Sequence, residues 1–129
     1  MCEEKQMRLS RLPYELSVLK VRDLSSVDLG MEFFFIAKTS EELSLVCPSS
    51  DAKKIADPVA LEDGWRGFKI DGILDFSLIG ILSKITAVLA DAKIGVFAVS
   101  TYNTDYILVK EENFSRAAEE LSAAGYDLW

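Results

Sequence analysis

Between Ser77 and Ala90 the apolar side chains recur at Leu78, Ile81, Leu82, Ile85, Val88 and Leu89. That spacing puts them on one face of a helix and leaves Ser83, Lys84 and Thr86 on the other. Asp75 or Ser77 is placed to cap its first turn. A second helix is expected over Glu111–Ala124. Acidic residues open it, where they suit the positive end of the helix dipole. Phe114, Ala117, Ala118 and Leu121 form its buried stripe, and Gly125 stops it. The other apolar segments read as strands: Tyr14–Val21, Glu32–Lys38, Leu43–Cys47, Trp65–Asp71, Lys93–Thr101 and Tyr106–Lys110, with a short edge strand at Tyr126–Trp129. In the fifth of these, Ile94, Val96 and Ala98 are expected on one face, and Phe97 and Val99 on the other. The turn Thr39–Glu42 joins two strands into a hairpin. Asp23–Gly30 is read as a short connection of one or two helical turns, and Pro48–Asp63 as a polar connector with one short helical piece. Residues 1–12 are polar, are expected to fray at the start, and predict no element.

The pattern repeats. An offset of 63 residues places Phe34 on Phe97, Ile36 on Val99, Glu42 on Asp105, Leu45 on Leu108 and Val46 on Val109. The second half then reads βαββαβ, the order of a ferredoxin-like unit, and the first half is a trimmed copy whose helices have shrunk. The expected fold is α+β: two ferredoxin-like units, residues 12–63 and 64–129, each an antiparallel sheet with its helices on one face.

Composition narrows the function. Half of the 129 residues are hydrophobic, enough for a core, and no apolar run reaches the length that crosses a bilayer. The first residues, Met1-Cys-Glu-Glu-Lys, lack the basic start and apolar stretch of a signal peptide, so the chain reads as cytoplasmic. A formal charge of −7 with no basic cluster argues against nucleic acid and anionic membrane as partners. The absence of His removes the commonest general base and the commonest metal ligand. Two cysteines give neither a disulfide framework nor metal spacing, and Cys47, inside a strand, reads as an inert buried thiol. Trp65 and Trp129 read as packing residues. No cofactor and no metal are expected.

Two segments remain that packing does not need: Gly72-Ile-Leu-Asp-Phe-Ser-Leu-Ile-Gly80, a turn that opens the first helix, and Ser100-Thr-Tyr-Asn-Thr-Asp105 between two strands. A hairpin needs only a short turn, so this polar run points to a surface that holds something small. With these segments, Tyr14-Glu-Leu-Ser17, Glu32-Phe-Phe34, Glu42-Leu-Ser-Leu-Val-Cys47, Gly64-Trp65 and Val96-Phe-Ala-Val-Ser-Thr-Tyr-Asn-Thr-Asp-Tyr-Ile-Leu-Val109 carry a family resemblance. The chain resembles the ACT family of small-molecule sensor domains from residue 12 onward. More narrowly, it is similar to tandem-ACT proteins related to the cytosolic arginine sensors and to the regulatory domains of aspartate kinases.

The resemblance implies amino-acid binding between two ACT units, where the first helix of one meets the first long strand of its neighbour. Carried onto this chain, the ligand-binding residues are Asp75, Phe76, Ser77, Leu78, Ile79, Gly80 and Ile81, with Val99, Ser100, Thr101, Tyr102, Asn103, Thr104 and Asp105. It also implies a homodimer and a regulated partner protein. A helix start offers unpaired N–H groups to the ligand carboxylate. Gly80, without a side chain, permits close approach. Asp105, Asn103, Thr101 and Asp75 have oxygens for the ammonium.

Charge-assisted hydrogen bonds contribute ~1.5–3 kcal/mol each, and immobilising the ligand costs several. A balance of about 4–8 kcal/mol corresponds to millimolar to micromolar dissociation. Each residue also has a plainer reading. Asp75 serves as an N-cap, Gly80 as helix packing, Asn103-Thr104 as turn chemistry, and Asp105 as a solvated carboxylate. An enzyme is disfavoured, since no nucleophile has a base beside it. The alternative is a ligandless dimerisation domain that uses open sheet edges.

Overall fold

A hairpin brings its two strands together with a fixed register, and two such hairpins organise this chain. The computed structural model describes residues 7–71 and 80–129. It divides into two units, one formed by Tyr14–Trp65 and the other by the N-terminal residues to Pro13 together with Arg66–Trp129. The long strand β5 (Ala60–Ile70) gives its first residues to one unit and its last to the other.

In the Tyr14–Trp65 unit, β2 (Leu16–Lys20), β3 (Phe35–Lys38) and β4 (Leu43–Pro48) join β5 in the order β3-β4-β2-β5, all antiparallel. Leu19, Val21, Leu45 and Cys47 pack with Val27, Ala52 and Ile55 to form its core. Phe34 packs on that core, while Phe33 stacks on Tyr14 at 5.0 Å between ring centroids. Residues 21–34 form no helix. The Asp23 carboxylate accepts from the Ser25 amide and the Asp28 carboxylate from the Gly30 amide, both at 2.8 Å. These Asx turns engage the backbone donors that a helix would use. Only the single turn α1 (Ser49–Ala52) is helical here.

In the other unit, β6 (Phe97–Ser100), β7 (Asp105–Lys110) and the end of β5 are joined by β1 (Arg8–Arg11) and β8 (Asp127–Leu128), in the order β6-β7-β5-β1-β8. The helices α2 (Ile81–Asp91) and α3 (Phe114–Ala123) cover one face. Ile85, Leu89, Phe114, Ala117 and Leu121 pack on Leu9, Phe68, Ile70, Ile107 and Val109. The buried stripe expected for α3 is the one observed.

Several expectations need correction. The N-terminal segment supplies β1, and Leu9 is fully buried. β1 sits between the two strands that a ferredoxin-like unit places side by side, antiparallel to β5 and parallel to β8, the one parallel pair described. Four residues with one buried apolar side chain carry too little period for sequence to detect. β5 begins at Ala60, inside the expected connector. α2 begins at Ile81 rather than Ser77, because Gly80 has a left-handed φ of +82°. β6 begins at Phe97, and its inward face carries Phe97 and Val99; Val96 and Ala98 are exposed and Ile94 is buried before the strand starts. Trp129 is exposed, with its indole N–H donating to Asp127 at 2.8 Å and Arg8 over its ring.

The repeat holds at an offset of 62, not 63. Lys38 pairs with Leu43 and Ser100 with Asp105, so each hairpin closes a four-residue loop. Phe35 therefore matches Phe97, Leu43 matches Asp105, and Thr39 matches Thr101. The neighbouring positions are apolar at either offset, so composition alone leaves a one-residue slip open, whereas pairing fixes which face each residue takes.

Candidate ligand site

Asp75, Phe76, Ser77, Leu78 and Ile79 lie outside the described residues. What is described is the ground on either side of them. Gly80 precedes α2 in the left-handed region, where an L side chain is strained. A Cβ there meets nothing within 4 Å among the described residues, and the φ of +82° is one that glycine adopts without strain. Ile81 is half-buried against the core. The first-turn amides of α2 have no intrahelical acceptor, and Gly80 has no side chain with which to cap them.

The loop Thr101–Thr104 is held from within. The Thr101 amide and hydroxyl donate to the Thr104 carbonyl at 2.8 and 2.9 Å. The same Thr pattern recurs in the other hairpin, where the Thr39 amide donates to the Glu42 carbonyl at 2.9 Å. Thr104 is 3% exposed, and its hydroxyl donates to the Ile70 carbonyl at 2.7 Å. This bond fastens the hairpin tip to the end of β5. Gly72–Ile79, the turn read as the other half of the site, follows one residue later.

The remaining anticipated residues divide by position. Val99 is half-buried, while Ser100, Tyr102 and Asn103 are exposed, Tyr102 at 84%. Asp105 is half-buried opposite Ser100. Thr101 and Thr104 thus hold the loop that presents the others.

Sequence reasoning missed Asp71 and Ser10. The Ser10 hydroxyl donates to the Asp71 carboxylate at 2.5 Å, and the Asp71 amide donates to the Arg8 carbonyl at 3.0 Å. A fixed carboxylate therefore stands directly before residue 72. Its partner is 61 residues away, and no local pattern announces it.

Elsewhere the chemistry is quiet. No group of three or more His, Cys, Asp or Glu positioned for a metal occurs among the described residues. Burial pushes the Cys47 thiol up to about 11, as expected for an inert thiol. The buried Ser17 hydroxyl donates to the Asp63 carboxylate and shares a 2.7 Å contact with the Ser49 hydroxyl. The clefts described on the surface are lined by other residues than the anticipated ones. No described helix is long and apolar enough to cross a membrane.

Comparison with known proteins follows the same lines. Residues 60–123 match the family described as ACT domain. The human cytosolic arginine sensor for mTORC1 subunit 1 is 31% identical over 97 residues, covering 71% of this chain. The chain spans 30% of that sensor's length. Among solved structures, protein Atu0741 from Agrobacterium tumefaciens has a TM-score of 0.81 at 28% identity, covering 97% of this chain and 93% of its own. The regulatory subunit of aspartate kinase from Thermus thermophilus, in its ligand-free form, has a TM-score of 0.66 at 7% identity, covering 93% and 99%. That last likeness is one of fold.

Proposed function

Because the chain belongs to the ACT-domain family, we propose that it is a non-catalytic regulatory module that binds a free amino acid. In this reading residues 12–63 and 64–129 are its two ACT units. The ligand lies where units meet, contacted by Asp75–Ile81 and Val99–Asp105. The module is a cytoplasmic homodimer that passes its ligand state to another protein. The observation that carries the reading is the Thr104–Ile70 hydrogen bond. It keeps the polar hairpin tip beside the end of β5, two residues in sequence before the segment Gly72–Gly80. A regulated partner responds because a ligand that favours one arrangement of the units shifts the population toward it.

The test is thermal unfolding against a panel of the common amino acids at millimolar concentration. At least one is expected to raise the melting temperature, as a ligand that binds only the native state must. Asp105→Ala should abolish that rise and leave the unliganded melting temperature nearly unchanged. An unaltered rise in the variant removes Asp105 from the site.

A second reading has one observation behind it. β6 pairs only with β7 among the described strands, and its edge, Val96 to Ser100, carries no charge. Such an edge suits strand-to-strand association without a ligand. No shift with any amino acid, together with a stable dimer, favours that reading.

A further inference from the structure

The two hairpin loops share their internal hydrogen bonds but differ in what lies behind them. In the Arg66–Trp129 part, Thr104 is buried and fastened to the strand end at Ile70. The matching position in the first hairpin is Glu42, which is exposed. Its carboxylate is drawn instead to the Ser44 hydroxyl at 2.6 Å. A cleft of about 580 Å³ lies between the Thr39–Glu42 loop and the end of β2. That volume falls within the ~300–1,000 Å³ of small-molecule sites.

The lining of this cleft is specific. Lys20, Arg22 and Lys38 stand against Asp23, Glu41 and Glu42, a local balance of charge in a chain of formal charge −7. Val21 and Leu43 give it an apolar floor, and Leu24 and Val59, both more than a third exposed, extend that floor. Two of the charges are held in place. The Arg22 guanidinium donates to the Asp57 carbonyl at 2.7 Å and to its carboxylate at 3.1 Å. The Asp23 carboxylate accepts from the Ser25 amide and hydroxyl, which hold its pKa below the usual carboxylate value.

We propose that the cleft between the Thr39–Glu42 loop and the end of β2 is a second small-molecule site, for a compound that carries a carboxylate and an ammonium on a short apolar body. Lys38, cross-strand from Leu43, offers its ammonium to the carboxylate, Glu41 of the loop offers its carboxylate to the ammonium, and the floor takes the body. The site is separate from the one proposed at residues 99–105 and stands or falls independently of it.

The experiment is a two-dimensional amide NMR titration of the full chain with L-leucine to about 20 mM, the upper end of metabolite-range affinity. Two controls each lack one charge: 4-methylpentanoate and 3-methylbutylamine. Amides of residues 20–24 and 39–43 are expected to shift and saturate with L-leucine, at least tenfold more weakly with either control. Lys38→Ala and Glu41→Ala should each weaken the response several-fold while the rest of the spectrum stays in place. The proposal is overturned if those amides do not move, if a control moves them equally, or if both variants titrate as the parent does. Shifts confined to residues 99–105 overturn it too, and leave the other site standing.

Discussion

Thr104 shows how much one side chain decides at the hairpin tip. Its hydroxyl is buried and bonded to the Ile70 carbonyl. Thr104→Val keeps the shape and leaves that carbonyl without its donor, so a loss of about 1–3 kcal/mol is expected in urea unfolding. Any amino-acid response should weaken with it, because the loop would no longer be fixed to the strand end. Cys47 makes a different argument. Its thiol is raised from 9.0 to about 11, chiefly by burial. The neutral thiol is therefore favoured in the folded state. Its contribution is complete below pH 9 and is lost as pH rises toward 11, because the unfolded chain gives up its proton first. A fall on the order of 2 kcal/mol in stability across that window is expected. Cys47→Ala, less stable overall, should show a shallower slope when unfolding is followed from pH 8.5 to about 11. The burial of Cys47 was legible in the sequence from its strand setting. The role of Thr104 was not, because its partner is 34 residues away and a threonine in a polar loop reads as turn chemistry.

At the scale of elements, the strand β1 matters most for what the chain can withstand. Its backbone bonds to β5 on one side and β8 on the other, with the Trp129 amide donating to the Leu9 carbonyl at 2.9 Å. Leu9 is fully buried among the residues that α2 and α3 cover. Leu9→Ala is expected to cost about 2–5 kcal/mol, read by chemical denaturation. Removal of the residues through Arg11 should unfold the Arg66–Trp129 part outright, as circular dichroism would record. The long periodic elements were legible: both helices, the two hairpins and the terminal edge strand follow from spacing. The loop at 21–34 was not, because two aspartates capture backbone amides locally and outcompete a weak helical preference. Nor was the offset of 62, which is a property of strand pairing and is invisible to a match of apolar types.

For the molecule as a whole, the proposed homodimer gives a plain measurement: light scattering at micromolar concentration should return a mass near twice 14.3 kDa. A mass of one chain, with and without amino acids, removes the dimer from the proposal. Sequence by itself determined the α+β class, the family, the internal repeat and the charge that disfavours nucleic acid. The class, the repeat and the charge argument rest on periodicity and composition, which act along the chain, and the family rests on the resemblance of particular residue blocks. Only the tertiary structure decided that the N-terminal segment is a central strand, that Asp71 is paired with Ser10, and that Thr104 is fastened to Ile70. Each of these is a contact between residues distant in sequence. Such contacts are selected by the burial and hydrogen bonding of the assembled fold, and local preference carries no record of them.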